Sequence, residues 1–253
     1  MAGRLNIPTR RKFLLAYFAL AATLGGAIGT FLLLVERPAP PPAPPWSLWR
    51  PVAASPTDRA TEIADYVAAK YHLPSGHRLV RVVLGGPGSA TDPIRAVAIA
   101  KSATATKQSD FNIVDASRTM MFVLCGAGPN CAIREGKAST ARAAVLRREA
   151  LELALYTFKY VPEAQSIVTF FPPKLGAQPT YALYFQRDDF HPELDHPLVR
   201  TLPHAKEPVR ARLPSGERKT IDELTTSRVF RFDIERARSG ERVLVLAPVP
   251  VTT

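Results

Sequence analysis

The first pattern in the chain is a long apolar run near its N-terminus. Residues 13–35 form 23 consecutive positions without a charged side chain. As an α-helix, these 23 residues would extend for about 35 Å, enough to cross a hydrocarbon core of about 30 Å. A continuous helix also pairs its own backbone polar groups, as lipid requires. The pattern predicts a transmembrane helix at residues 13–35, in contact with membrane lipid.

The charges that flank the apolar run predict its orientation. Residues 1–12 form a tail with four basic side chains and no acidic one. Since basic residues remain on the cytoplasmic side, we expect a cytoplasmic N-terminus and an extracytoplasmic C-terminal domain. A cleaved signal peptide is the alternative, but its apolar core spans about 7–15 residues and ends at a small-residue site. The run here is longer and continues into Glu36-Arg37-Pro38, so we favour an uncleaved single-pass anchor of the cell membrane.

Small residues recur within the apolar run. Gly25 and Gly29 form a GxxxG pattern, which allows two helix backbones to approach closely. The pattern predicts helix packing at these glycines, including a homodimer through the membrane helix. The alternative is that glycine is simply common in membrane helices.

A proline-rich tether follows the anchor at residues 36–45. Proline fixes φ and removes a backbone donor, so we expect an extended polyproline II segment about 30 Å long. Trp46 and Trp49 come next. We expect both side chains to dock onto the domain and mark its edge.

Periodicity beyond the tether predicts one globular domain over residues 46–253. An apolar residue at every fourth position predicts a helix from about 57 to 71. A longer apolar stripe predicts a second helix from 139 to 160, which should cover the sheet. Residues 186–228 are rich in proline and charge, and we interpret them as a long excursion or a partly mobile segment.

Short runs of apolar or alternating residues predict the strands of this domain. The runs at 79–84 and 94–100 are separated by glycines, and we expect them to form a hairpin. The predicted strands are 79–84, 94–100, 118–125, 167–171, 181–185, 230–234 and 243–246. The order of elements indicates an α+β fold: one mixed or antiparallel sheet with two helices packed on it.

The chain is strongly basic, with a formal charge of +11, of which residues 1–12 supply +4. The remaining excess would attract the domain to anionic lipid or to an anionic envelope polymer. The alternative is a solvated surface that aids solubility. We do not expect nucleic acid as a partner, because the domain is predicted to lie outside the cytoplasm.

The two cysteines, Cys125 and Cys131, flank the sequence Gly-Ala-Gly-Pro-Asn. Glycine, proline and asparagine favour a tight reversal, and the predicted compartment is oxidising. We therefore predict a disulfide. Two free thiols are the alternative, and the spacing differs from the Cys-x-x-Cys of redox enzymes.

The densest polar cluster lies between residues 188 and 196 and holds two imidazoles and four carboxylates. These are ligand types that zinc and other divalent ions accept. The candidate ligands are His191, Asp195 and His196, with Asp189 in support. No recognised zinc spacing is present, and a solvated acidic loop is the alternative reading. We predict no cofactor.

Two functions remain open from the sequence. The first is a membrane-anchored extracytoplasmic domain that binds a protein partner or an anionic envelope polymer, or that supports an envelope assembly. The second is an anchored envelope hydrolase or metal-dependent enzyme that uses the 188–196 loop. We favour the first, because no convincing catalytic set accompanies the anchor, the spacer and the basic domain.

Overall fold

A computed structural model describes residues 9–35, 44–87, 92–210 and 212–249 of the chain. The chain divides into two compact units, Met1–Pro44 and Pro45–Thr253. The predicted tether at 36–45 lies outside the described residues except for its last two positions.

The first unit contains helix α1, Thr9–Val35. Its segment Phe13–Phe31 is long and apolar enough to cross a membrane, as the sequence predicts. The large apolar side chains of this segment are exposed, as a lipid-facing helix requires. A Cβ built on Gly25 or Gly29 would meet no described atom within 4 Å, so space for helix packing is open there.

The second unit contains four further α-helices within the described residues, which is more than the sequence indicated. They are α2 Pro56–Ala68, α3 Thr140–Tyr160, α4 His191–Asp195 and α5 Arg218–Thr225. The strands are β1 Tyr71–His72, β2 Arg81–Leu84, β3 Ile94–Ala100, β4 Phe111–Asp115, β5 Thr119–Cys125, β6 Ser166–Phe170, β7 Tyr181–Gln186, β8 Val209–Arg210, β9 Val229–Arg236 and β10 Arg242–Pro248.

Eight of these strands form one mixed sheet in the order β2-β5-β6-β7-β9-β10-β3-β4. The pairs β5–β6 and β10–β3 are parallel, and the other neighbouring pairs are antiparallel. Strands β1 and β8 form a separate two-stranded parallel sheet. The predicted α+β class with a mixed sheet is therefore confirmed.

The predicted hairpin between residues 79–84 and 94–100 is wrong. Strand β2 pairs with β5, whereas β3 lies between β10 and β4. The reason is packing: the parallel register sets Val97 beside Leu244 and Ile99 beside Leu246. These four side chains join one apolar cluster. A hairpin with the short strand β2 would not provide that contact.

The sheet carries apolar side chains on both faces because alternate residues of a strand point in opposite directions. Ile167 of β6 joins a cluster with residues of α2 and α3, whereas its neighbours Val168 and Phe170 join a second cluster. The second cluster also contains Val97 of β3 and Met121 of β5. Since these strands lie toward opposite ends of the sheet order, the sheet curls around this second cluster.

Residues 186–228 form a long excursion that packs on the helix-bearing face. Phe190, Leu198 and Leu202 are buried in the same cluster as α2 and α3. The segment contains α4, β8 and α5. It appeared irregular in sequence because these elements are too short to establish a period.

Both tryptophans after the tether pack on the domain, as we expected. Trp49 stacks on Tyr66 with ring centroids 3.9 Å apart. Trp46 meets Tyr156 edge to face at 5.3 Å, and its indole N–H donates to the carbonyl of Glu193 at 3.1 Å. The domain's packed structure therefore begins at residue 46.

Candidate functional site

A cavity with a volume of about 1110 Å³ lies at the N-terminal end of α3. Four parts of the chain border it: the segment before α3, the first turns of α3 itself, the β6–β7 loop over residues 171–180, and the region of α5. We call this cavity the basic groove. Small-molecule sites commonly occupy about 300–1,000 Å³, so the groove is large enough for a ligand or a partner's side chains.

The groove has an apolar lining that comes from elements far apart in sequence. Ile133 precedes α3, Leu146 belongs to α3, Phe171 and Tyr181 flank the β6–β7 loop, and Val229 begins β9. Ile133 and Leu146 are almost fully buried, which fixes the floor against the core. An apolar group of a ligand would find matching surface here.

Six basic side chains border this apolar surface, and Asp222 is the one acidic residue among the described lining. Arg147 and Arg218 both contact Asp222, at 2.5 Å and 2.8 Å. Arg142 donates to the carbonyl of Glu135 at 2.8 Å. These three guanidinium groups are therefore engaged within the protein.

The other three cations are Arg134, Lys137 and Lys174, which are all exposed. None of them lies within salt-bridge distance of an acidic group in the part of the chain that the structure describes. Ser139 caps α3 through its hydroxyl, which accepts from the Arg142 backbone N–H at 3.2 Å. The first turn of α3 has no acidic residue, so the positive end of the helix adds to the same field.

The disulfide holds the beginning of one groove wall. The sulfur atoms of Cys125 and Cys131 are 2.05 Å apart, at disulfide-bonding distance, as the sequence predicts. The loop between them is tight: the Gly126 N–H donates to the Cys131 carbonyl at 2.8 Å. A Cβ on Gly126 would overlap the Ala132 carbonyl, so glycine is required there. The next residues, Ile133 and Arg134, line the groove.

The opposite wall is the β6–β7 loop, which two successive prolines stiffen at positions 172 and 173. Its base is closed by the Phe171 N–H, which donates to the Tyr181 carbonyl at 2.9 Å. Leu175 at the loop's tip is 62% exposed and Tyr181 is 40% exposed. This wall therefore presents apolar surface to solvent beside Lys174.

A scan against protein-family models, a search of curated proteins and a search of solved structures each returned no match. The chemistry of the chain's own residues is therefore the basis on which a function can be proposed.

The four candidate metal ligands lie elsewhere, around the short helix α4. Asp189 contacts Arg228 at 3.4 Å, and His196 Nδ1 lies 3.2 Å from the Pro197 carbonyl. His191 lies 3.7 Å from Asp188, and Asp195 is exposed. Within the described residues, no three His, Cys, Asp or Glu side chains are grouped so that they could hold a metal ion. Metal binding by this loop stays a prediction.

A network of buried charges joins α3 to the segments around it, and sequence reasoning missed it. Arg148 contacts Glu217 through two nitrogens, and Lys70 contacts Glu152. The Tyr71 hydroxyl donates to Glu152 at 2.7 Å and accepts from Arg148 at 2.6 Å. Burial disfavours the charge of Arg148, but these acidic partners outweigh it and raise its pKa.

Glu149 lies beside this network and is fully buried. Neither of its carboxyl oxygens has a hydrogen-bond partner among the described atoms. Burial, and then the negative charge of Glu152, raise the pKa of Glu149 well above its ordinary value of 4.5. Lys70 and Arg148 are instead paired with Glu152 and Glu217. The network is closed to solvent, so we assign it to stability.

None of the groove residues was predicted as a site from the sequence. Its cations lie between positions 134 and 218, and no short motif contains them. The one local signal was the run Lys137-Ala138-Ser139, which places a positive charge next to a helix N-cap. That signal is too common to identify a site without the fold.

Proposed function

We propose that this chain is a membrane-anchored, extracytoplasmic binding domain that holds an anionic partner in the basic groove. One observation carries the proposal: Arg134, Lys137 and Lys174 line an apolar cavity, and none of them forms a salt bridge with a described acidic group. The domain's excess positive charge would speed the approach of such a partner.

The sequence and α1 support the proposed location. The segment Phe13–Phe31 of α1 has the length and apolar character for a membrane span, and the charged residues among positions 1–12 are all basic. The disulfide between Cys125 and Cys131 is consistent with an oxidising compartment, where such bonds persist.

Binding explains the groove better than hydrolysis does. An acid–base mechanism needs a free carboxylate or imidazole near the substrate. Asp222, the groove's one described carboxylate, is held by two arginines. The described lining contains no histidine. The side chains of the 188–196 loop do not converge, so no observation favours the metal-dependent enzyme.

The location can be tested by protease protection. Protease added to intact cells is expected to digest the chain beyond residue 45, because that part would lie outside the membrane. A chain that is digested only after the cells are opened would have the opposite orientation. A cytoplasmic protein serves as the control for cell integrity.

Binding can be tested on the full chain in zwitterionic nanodiscs with fluorescein-labelled polyglutamate as the anionic probe. The double variant Lys137→Glu/Lys174→Glu is expected to bind at least about 10-fold more weakly, since each reversal replaces attraction by repulsion. The double variant Lys107→Glu/Lys206→Glu makes the same change in net charge away from the groove. If both variants lose affinity equally, general charge and not the groove attracts the anion.

A further inference from the structure

We infer that the occupant of the basic groove is a short acidic segment of another protein, with a large apolar side chain among its carboxylates. The inference rests on the proposed function, because it names the class of the anionic partner. Its apolar side chain would fill the floor at Ile133 and Leu146. Its carboxylates would meet the cations on the rim.

The apolar floor excludes a purely hydrophilic polyanion as the best-fitting occupant. Phe171 and Val229 are only half-buried, and they extend the apolar surface that Leu146 begins. A sugar or phosphate polymer would leave this surface in water. A leucine or phenylalanine side chain would remove it from water and gain the corresponding hydrophobic free energy.

The groove's open side distinguishes a protein segment from a free lipid. Lys137, Ala138, Leu175 and Tyr181 border the groove and are exposed, so the cavity is not enclosed. A single acyl chain lying there would keep much of its own surface in water, and Leu175 would stay uncovered. A folded partner that contributes the segment would cover Leu175 and would shield the segment's own apolar side chain from water. Protein interfaces have this arrangement of an apolar centre within a polar rim.

The arrangement of charge also fits separate carboxylates. Arg134 and Lys137 lie on the wall before α3, and Lys174 lies on the opposite wall. Cations on both walls suit a segment with acidic residues on either side of its apolar anchor. The N-terminus of α3, which has no acidic residue in its first turn, also borders the groove and favours a carboxylate in the same region.

The inference is tested with a random-sequence peptide library displayed on phage and selected on the full chain in zwitterionic nanodiscs. The selected peptides are expected to combine acidic residues with a leucine, phenylalanine or similar side chain. Their affinity is expected to fall at least about 10-fold in the Lys137→Glu/Lys174→Glu variant. It is expected to remain within about twofold in the matched Lys107→Glu/Lys206→Glu variant.

A second variant tests the apolar contact without disturbing the fold. Leu175→Ser alters an exposed side chain, so stability should stay unchanged while affinity for the selected peptides falls several-fold. Peptides without the acidic–apolar pattern, or peptides insensitive to all groove variants, would overturn the inference.

Oleate and phosphatidylglycerol vesicles are assayed in parallel to separate the two proposals. If these lipids bind in a manner that Lys137→Glu/Lys174→Glu abolishes while no peptide is selected, the acidic-segment inference fails and the anion-binding function stands. If neither lipid, peptide nor polyglutamate binds the groove, both proposals fail together.

Discussion

Glu149 combines full burial with two unpartnered carboxyl oxygens, in contrast to its neighbour Glu152. Glu152 is equally buried but accepts from Tyr71, Arg148 and Lys70. Two carboxyl groups three positions apart on α3 therefore have different surroundings: Glu152 is paired with Lys70, Arg148 and Tyr71, whereas burial raises the pKa of Glu149 and favours its protonated form. Their substitutions should act in opposite directions.

Replacement of Glu149 by glutamine is expected to stabilise the protein at neutral pH by about 1–3 kcal/mol. Because the pKa of Glu149 is raised in the folded state, the folded protein keeps a proton that the unfolded chain releases above pH 4.5. Stability should therefore fall as the pH rises from 4.5 toward neutrality, and Glu149→Gln should reduce that slope. Urea unfolding of the detergent-solubilised full chain across this pH range measures how the free energy of unfolding depends on pH.

Glu152→Gln is the matched control, with an expected loss of about 3–5 kcal/mol, because Lys70 and Arg148 would keep buried charges without their partner. Equal destabilisation by both substitutions would show that Glu149 is ionised in the folded protein.

At the scale of elements, α3 is fixed at both ends by side chains. Ser139 caps its N-terminus, and Arg187 donates to three carbonyls at its C-terminal end: Phe158 at 2.5 Å, Val161 at 2.8 Å and Ala164 at 2.9 Å. A planar guanidinium reaches all three acceptors at once, which a lysine cannot do. Arg187 thus ties the beginning of the long excursion to the helix on which it packs.

Arg187→Lys is expected to lower the free energy of unfolding by about 1–3 kcal/mol, since it leaves partly buried carbonyls unsatisfied. Arg200→Lys makes the same chemical change at an exposed position and should alter stability by less than about 0.5 kcal/mol. Chemical denaturation of the two variants provides the comparison. Similar effects at both sites would rule out a specific role of the three hydrogen bonds that the Arg187 guanidinium donates.

The elements that sequence patterns predicted are those in which a helical or strand periodicity repeats several times. The apolar stripe of α3 and the alternation around Phe230 and Phe232 each repeat often enough to reveal their type. Strand β4 was missed because it lies at the sheet's edge, where Ile113 remains 60% exposed and the apolar residues do not alternate regularly with polar ones. The Cys125–Cys131 disulfide was predictable because both partners lie within one tight loop.

Pairing and site geometry were beyond local patterns. Strand β3 finds its parallel partner β10 about 150 residues later, as in the pair Val97 and Leu244. No periodicity encodes such a choice. The groove has the same origin: Lys137 and Lys174 become neighbours of one cavity only after α3 and the β6–β7 loop pack together.

At the scale of the whole molecule, the segment that leaves the tether belongs to the folded domain. Besides the aromatic contacts of Trp46 and Trp49, the Trp46 carbonyl accepts from the Leu198 backbone N–H at 2.7 Å. The Ser47 hydroxyl lies 2.8 Å from the Tyr160 hydroxyl. The entry segment is therefore packed against the surface of the domain.

Trp49→Ala is expected to destabilise the domain by about 2 kcal/mol, because the half-buried indole loses its stacking on Tyr66. Leu48→Ala is the control one residue away: Leu48 is 74% exposed, so its change should stay within about 0.5 kcal/mol. Thermal unfolding of both variants tests the difference. If Leu48→Ala matched Trp49→Ala, the packing of this segment would not depend on the tryptophan.

The same packing determines where mechanical tension would enter the molecule. A pull on the polypeptide ahead of residue 46 would reach the docked Trp46 first and then the stacked rings of Trp49 and Tyr66. Strands at the sheet's edges would not carry that force directly, since β2 and β4 begin farther along the chain. Sliding flat rings apart removes many contacts at once, so this entry point should resist stretching better than an unzipping hairpin would.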